Sequence, residues 1–142
     1  MRIFLDANVL FSAAKSDGAV RRLLALLTEA GHECWADGYV VEEARRNLIA
    51  KAPAEAPFLD SILARVHLAA AHPHPIALEA ALPIPEKDRP VLAAAIRSRC
   101  EALITGDRTH FGAFYGKPLR GVMIYSPSMA AQALLVRPGS GR

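Results

Sequence analysis

The chain has 142 residues, of which 52% are hydrophobic and 22% are charged, and its formal net charge is +3. This composition excludes an intrinsically disordered chain, and the length suits one domain that buries a core without disulfides or structural metals. No apolar run approaches the roughly 20 residues that span a bilayer, and the amino terminus does not resemble a secretion signal, so we expect a cytoplasmic protein without membrane contact.

Hydrophobic patterning predicts strands that alternate with helices in the first half of the chain. The apolar run from Ile3 to Leu5 is typical of a buried strand. Apolar residues recur every three or four positions over residues 19–30, which predicts a helix, and Gly31 follows as a stop. The next expected elements are a strand at 33–36, a helix at 39–50, a helix that starts between Pro53 and Pro57, and a short strand at 66–69.

Proline-rich segments divide this half from the second half. They predict surface connectors at residues 72–75 and 82–85. Asp88 then occupies the N-cap position of a helix that has Pro90 in its first turn. The remaining elements are expected to be strands at 101–105 and 122–125, a helix from Ser126 to about residue 135, and a disordered tail at 137–142 after a domain of residues 1–136.

The alternation of strands and helices indicates an α/β fold with a central parallel sheet and helices on both faces. In such sheets the functional crevice lies at the carboxyl ends of the strands, where the strand order switches. Asp6 and Asp107 each follow a predicted strand, so both are expected at that edge. Glu43 and Asp88 lie near the starts of helices that begin above the same edge, and we expect all four acids to converge.

Four converging carboxylates repel one another unless a divalent cation lies between them, and Mg²⁺ and Mn²⁺ suit hard oxygen ligands. Withdrawing four acids into one site leaves a surface more basic than the net charge of +3 suggests, which would attract a polyanion. The pattern therefore indicates metal-assisted phosphodiester chemistry.

Some of these residues, considered singly, have a second interpretation. Asp88 would also serve as an ordinary helix cap, and Asn8 as a local turn or cap residue. Glu42 and Glu43 are adjacent, and only the phase of the helix favours Glu43, which shares a face with Asn47.

The combination of motifs is more specific than its parts. The segments Ile-Phe-Leu-Asp-Ala-Asn-Val-Leu, Glu-Ala-Arg-Arg-Asn-Leu, Lys-Asp-Arg-Pro-Val-Leu-Ala-Ala-Ala and Leu-Ile-Thr-Gly-Asp follow in that order. In residue type, order and spacing they resemble the PIN-domain family over residues 2 to about 126.

This resemblance implies a Rossmann-like three-layer α/β/α sandwich and metal-dependent cleavage of RNA. The acidic tetrad of the family falls on Asp6, Glu43, Asp88 and Asp107, and Asn8 and Thr105 match polar positions that support the first and last acids. Many small bacterial members are toxins of toxin–antitoxin pairs and are often dimeric. RNA, a cognate antitoxin protein and a second copy of the chain are thus the implied partners.

The resemblance also implies roles for these residues. Asp6, Asp88 and Asp107 would hold Mg²⁺ or Mn²⁺, and Glu43 would complete the coordination shell or orient the attacking water. Three arginines near the acids could contact phosphates, although each could equally be solvated or paired: Arg89, Arg97 and Arg108. His110 invites an interpretation as a general acid, but water bound to the metal can supply that proton.

Two other functions compete with the ribonuclease hypothesis. A phosphatase of the haloacid-dehalogenase type also begins with an acid after the first strand, but it needs a second acid where this chain has Asn8. A non-catalytic module that binds RNA or a protein partner is the other alternative, and an intact tetrad argues against it. Toxin activity and general RNA processing are equally open.

Overall fold

The computed structural model of this protein describes residues 1–71 and 84–135. Within these residues a sheet of six strands is combined with seven α-helices. The strands are β1 (Arg2–Leu5), β2 (Glu33–Asp37), β3 (His67–Ala69), β4 (Ala102–Ile104), β5 (Pro118–Leu119) and β6 (Val122–Tyr125). The helices are α1 (Ala7–Lys15), α2 (Ala19–Glu29), α3 (Gly38–Lys51), α4 (Phe58–Leu63), α5 (Arg89–Arg97), α6 (Arg108–Phe111) and α7 (Pro127–Leu134). Short 3-10 turns occupy Pro53–Glu55, Glu86–Asp88 and Gly112–Phe114.

The strand order of the sheet is β3-β2-β1-β4-β6-β5. Every neighbouring pair is parallel except β5 and β6, which are antiparallel. The chain moves from β1 outward to β2 and β3, and then returns to place β4 on the other side of β1. The strand order therefore switches between β1 and β4, where Leu5 lies beside Ile104 in the register. This is the position at which open α/β sheets form their functional crevice.

Helices cover both faces of the sheet. Helix α1 packs against α2, α3 and α4, whereas α5 packs on β4 and β6. The chain progresses along the sheet in one direction from β1 to β3 and in the other direction from β3 to β4. Because crossovers between parallel strands are right-handed, α5 lies on the face opposite the helices that connect the first strands. The three-layer α/β/α sandwich is thereby confirmed, with a core centred on the buried side chains of β1 and β4. None of the helices in the two described ranges is long and apolar enough to cross a lipid bilayer.

Local signals account for where several of the predicted elements begin and end. Helix α2 ends at Glu29, and Gly31, just beyond its C-cap, has φ 91, while the amide of His32 donates to the carbonyl of Leu27. A residue without a Cβ adopts this left-handed conformation at little cost. Helix α7 begins after Ser126, whose hydroxyl accepts a hydrogen bond from the amide of Met129.

Three elements were absent from the sequence prediction, namely α1, α6 and β5. Helix α1 begins directly after Asp6, and its buried residues Val9, Leu10, Ala13 and Ala14 follow a helical spacing that was overlooked. Strand β5 has two residues and makes the edge of an otherwise parallel sheet antiparallel. The connector at 72–75, the first half of the loop at 82–85 and the tail at 137–142 lie outside the described residues.

Candidate metal centre

The first acid of the site is held at the point where β1 becomes α1. Asp6 is 5% exposed and caps α1, because its Oδ1 accepts a hydrogen bond from the amide of Ala7 at 2.7 Å. Its Oδ2 accepts a hydrogen bond from the hydroxyl of Thr105, which is fully buried, at 2.8 Å. Both carboxylate oxygens are thus fixed in direction, and Oδ1 keeps a lone pair for a further partner.

Thr105 and Asn8 join the ends of the two central strands. The Thr105 hydroxyl also accepts a hydrogen bond from the amide of Asp107 at 3.1 Å, so one oxygen links Asp6 to Asp107. The side-chain amide of Asn8 approaches Asp6 Oδ2 and Thr105 Oγ1 at 3.4 Å, while its Oδ1 accepts from the amide of Gly106 at 2.8 Å. Asn8 therefore bridges the two strand ends, which is more than a local turn or cap would do.

The environment of Asp6 disfavours its charged form. Burial raises the pKa of Asp6 to about 6, although hydrogen bonds from Thr105 and Ala7 oppose the rise, and the negative charges of Glu43 and Asp88 add to it. A divalent cation would stabilise the carboxylate form that burial disfavours.

The phase of α3 separates the two adjacent glutamates. Glu42 is exposed and forms an ion pair with Arg46, with 3.6 Å between the charged atoms. Glu43 is half-buried in the second turn of the helix, and its charge raises the pKa of both Asp6 and Tyr39. Helix α3 is itself capped by the buried Asp37, whose Oδ1 accepts from the amide of Val40 at 3.1 Å. Glu42 thus lies at the solvent-exposed surface, whereas Glu43 is half-buried and its charge acts on Asp6.

Asp88, Asp107 and His110 form a tight cluster beside Asp6. Nδ1 of His110 lies 2.8 Å from Oδ2 of Asp88 and 2.7 Å from Oδ2 of Asp107. One possible ligand atom from each of the three residues lies within 4.8 Å of the others. Asp88 precedes α5 as expected, but its side chain makes no capping hydrogen bond and instead faces the imidazole. Asp107 does cap α6, because its Oδ1 accepts from the amide of His110 at 3.1 Å.

The donor set of this cluster fits a divalent cation. Oδ2 of Asp88 and Nδ1 of His110 are buried, and within residues 1–71 and 84–135 neither atom has a hydrogen-bond partner of suitable geometry. Burial, together with the charge of Asp107, raises the pKa of Asp88, while His110 and Lys87 oppose the rise. Buried polar atoms without partners are costly. A cation that they both coordinate would remove that cost.

The three arginines that the sequence suggested for phosphate contacts have different surroundings. Arg97 lies close enough to the buried Asp37 to lower its pKa, although burial of Asp37 outweighs this and leaves that pKa raised. Arg108 is exposed and its charge acts on Tyr115 beside Asp107. Arg89 is half-buried at the start of α5. Of the three, Arg108 is the one that the structure places both at solvent and near the acids.

Two tyrosines flank the acids and were missed from the sequence. Tyr39 lies at the rim of the site, because its hydroxyl donates to the carbonyl of Lys87, next to Asp88, at 3.2 Å; burial and the charges of Glu43, Asp88 and Asp6 raise its pKa. Tyr115 donates its hydroxyl proton to the carbonyl of Thr105 at 2.8 Å, which buttresses the end of β4. No spacing rule connects residues 39 and 115 to the acids, because loops and helices of different lengths bring them there.

Comparison with known proteins was made on both sequence and structure. The family model described as PIN domain matches residues 2–109. The fold is similar to that of a chain in the crystal structure of VapBC2 from Rickettsia felis, bound to a DNA fragment from their promoter. The TM-score is 0.63 at 16% identity, and the match covers 89% of this chain and 98% of that chain. At this identity the likeness shows a shared fold alone. A search of curated protein sequences gives no match.

Proposed function

This chain belongs to the PIN-domain family, and we propose that it is a metal-dependent endoribonuclease that hydrolyses RNA phosphodiester bonds. The proposed cofactor is Mg²⁺ or Mn²⁺, and the proposed site of action is the cytoplasm, where RNA substrates occur. The observation that carries this proposal is the cluster of Asp88, Asp107 and His110 at the strand-order switch, to which Thr105 joins Asp6 through hydrogen bonds. Membership of this family replaces the haloacid-dehalogenase alternative.

The proposed roles follow from where each side chain lies. Asp6, Asp88 and Asp107 would hold the cation, and Glu43 would complete the shell or orient the attacking water. When bound, the cation lowers the pKa of a water and offsets negative charge on the phosphate oxygens. Thr105 and Asn8 keep the carboxylate of Asp6 from rotating, so its oxygens are already oriented before substrate arrives.

Contacts to the RNA itself are proposed for residues around the acids. The exposed guanidinium of Arg108 would contact a phosphate. Contacts from Arg89 and Arg97, which are half-buried, are proposed with less support. Tyr39 is 36% exposed at the rim and offers a ring on which an unpaired base can stack. This arrangement suits single-stranded RNA, since a strand without a complement can present both its phosphates and its bases to the crevice.

The biological context that we propose is that of a toxin with a cognate antitoxin protein, acting as a homodimer. The support is the family and the fold shared with VapBC2, which was crystallised on promoter DNA. A small open reading frame directly upstream, overlapping the start codon of the gene for this chain, would support the existence of the antitoxin. Light scattering on the purified protein would test the dimer, and a monomeric mass at micromolar concentration would contradict it.

The first experiment compares growth after induction of wild type, Asp6→Ala and Asp107→Ala. We expect arrest with wild type and normal growth with both variants, because each variant removes an oxygen ligand of the proposed cation. Asp60→Ala is the matched control, since Asp60 is an acid on the exposed surface that pairs with Arg45. It should arrest growth like wild type. Mapping of RNA ends in arrested cells should show new 5′-phosphate ends that are absent with Asp6→Ala.

A second experiment separates cleavage from binding. Purified wild type should cleave a single-stranded RNA pool with Mg²⁺ or Mn²⁺ and stop on addition of EDTA. Asp6→Asn should bind the same pool and leave it intact, because the amide keeps the shape of the side chain without its charge. If wild type bound RNA but cleaved no pool at any divalent-ion concentration, the chain would be a non-catalytic binding module.

A further inference from the structure

His110 is the one histidine in the cluster that it forms with Asp88 and Asp107. Its backbone amide donates to Oδ1 of Asp107, while its ring nitrogen Nδ1 lies 2.7 Å from the other oxygen of the same carboxylate. The same Nδ1 lies 2.8 Å from Oδ2 of Asp88. The first turn of α6 thus fixes the ring between two carboxylates that belong to different parts of the fold.

The separations of these atoms suit adjacent ligands of one cation. Ligand atoms about 2.1 Å from a metal and at right angles lie about 3 Å apart, and both nitrogen-to-oxygen distances come within a few tenths of an ångström of that value. Nδ1 and Asp88 Oδ2 are buried and, within the described part of the chain, have no hydrogen-bond partner of suitable geometry. With a neutral ring whose Nδ1 is unprotonated, lone pairs would face each other across these short gaps. A shared cation turns that repulsion into coordination.

We propose that Nδ1 of His110 is a direct ligand of the divalent cation, beside Asp88 and Asp107, and that this nitrogen makes the site favour Mn²⁺ over Mg²⁺. Mg²⁺ strongly prefers oxygen, whereas Mn²⁺ accepts an imidazole more readily. The inference rests on the proposed function, because it concerns the cation of the same site. It assigns His110 a coordinating role in place of the transfer of a proton to the leaving group.

The alternative is that His110 stays off the metal and forms only an ion pair with the two carboxylates when its ring is protonated. The two arrangements differ in one measurable property, the bond between the metal and nitrogen. Electron spin-echo envelope modulation of bound Mn²⁺ detects a coordinated ¹⁴N through its hyperfine coupling. We expect that coupling in wild-type protein at one equivalent of Mn²⁺, and a changed coupling when the histidines carry ¹⁵N.

Two variants assign the signal to a single histidine. His110→Asn should lose the nitrogen coupling and still bind Mn²⁺ through the carboxylates. His67→Gln is the matched control, because His67 stacks on Trp35 in β3 and its ring lies outside the acidic cluster; its coupling should equal that of wild type. If His110→Asn does not fold, a protein with every other histidine changed to Gln must still show the coupling.

Isothermal titration with each metal gives the second readout. We expect His110→Asn to weaken Mn²⁺ binding by about 10-fold or more and Mg²⁺ binding by less than about 3-fold. The preference for Mn²⁺ should therefore fall, whereas His67→Gln should keep both affinities.

The outcomes distinguish this inference from the function on which it rests. If wild type binds Mn²⁺ and Asp88→Asn weakens that binding, but no nitrogen coupling appears, then His110 is not a ligand while the nuclease proposal stands. Equal losses of Mg²⁺ and Mn²⁺ affinity in His110→Asn would likewise overturn the claimed preference. If wild type binds neither metal, the inference and the proposed function both fail.

Discussion

At the scale of single residues, the site depends on polar groups that are buried in the middle of an apolar sheet. Asp6 and Thr105 are two of the three buried polar residues within the described ranges, and they are hydrogen-bonded to each other. A buried carboxylate is costly, and each hydrogen bond that it accepts recovers part of that cost. The Thr105 hydroxyl therefore serves both stability and the orientation of the proposed ligand.

Replacement of Thr105 by Val should remove this support while keeping the volume of the side chain. We expect cleavage to fall by about 10- to 100-fold and the free energy of unfolding by about 1 to 2 kcal/mol, because Asp6 and the amide of Asp107 both lose a partner. Thr105→Ser keeps the hydroxyl and should retain most of the activity. Rate measurements and urea denaturation of both variants test this. Equal behaviour of the Val and Ser variants would contradict it.

The raised pKa of Asp6 predicts a pH dependence of stability in EDTA. Its pKa is about 6 in the folded protein and 3.8 as a model value. Between these values the folded state holds a proton that the unfolded state has released, so stability falls as pH rises through the window. Relative to Asp6→Asn, which stays neutral, wild type should lose about 2 kcal/mol between pH 4 and 7.

Urea denaturation of both proteins across this range measures that difference. Above about pH 7 the difference should be constant, because Asp6 is then ionised in both states. A difference that grew in the opposite direction would mean that charged partners, and not burial, dominate the environment of Asp6.

At the scale of elements, helix α3 decides which of two adjacent glutamates faces the other acids. Consecutive helical residues point about 100° apart, so Glu42 and Glu43 cannot share a face. The cap from Asp37 fixes where the helix begins and, with it, the direction of every later side chain.

Glu43→Gln and Glu42→Gln form a matched pair that tests this helical phase. We expect Glu43→Gln to reduce cleavage by about 100-fold or more if it orients the attacking water, because its charge is felt at Asp6. Glu42→Gln should leave cleavage unchanged, since it loses only an exposed ion pair with Arg46. The two variants are compared by their RNA cleavage rates at saturating Mn²⁺. A larger loss in Glu42→Gln would reverse the assignment.

At the scale of the whole molecule, the sheet brings together residues that are about 100 positions apart in the sequence. Asp6 follows β1 and Thr105 follows β4, and these strands are neighbours only because the chain crosses the sheet between β3 and β4. Cation binding at this junction would therefore join the N-terminal and C-terminal halves of the fold. The free energy of unfolding of the whole domain should therefore increase when the cation binds.

We predict that a divalent cation stabilises the folded protein. At a concentration 100 times its dissociation constant, Mn²⁺ should add about 2.7 kcal/mol to the free energy of unfolding. The double variant Asp6→Asn/Asp88→Asn should show almost none of this gain, because two oxygen ligands lose their charge. Thermal unfolding with and without Mn²⁺ tests it. An equal gain in both proteins would indicate binding elsewhere.

Much of the fold was predictable because its signals are local. The apolar strand before Asp6, the stop at Gly31 and the cap at Ser126 each act within a few residues. Helix α1 was also recoverable, since its apolar spacing and its cap are both present in the sequence. Strand β5 has two residues, and its place at the edge depends on pairing with β6, which no local pattern of that length specifies.

The order of residues alone was enough to predict the alternation of strands and helices, the sheet edge at which Asp6 and Asp107 emerge, and the family. These depend on apolar periodicity and on short motifs, which are properties of neighbouring residues. Only the tertiary structure decided that His110 lies between Asp88 and Asp107, that Asn8 spans two strand ends, and that Tyr39 reaches the rim. Such contacts depend on how segments of different length are packed across the sheet, and side-chain separations of about 3 Å are fixed by that packing.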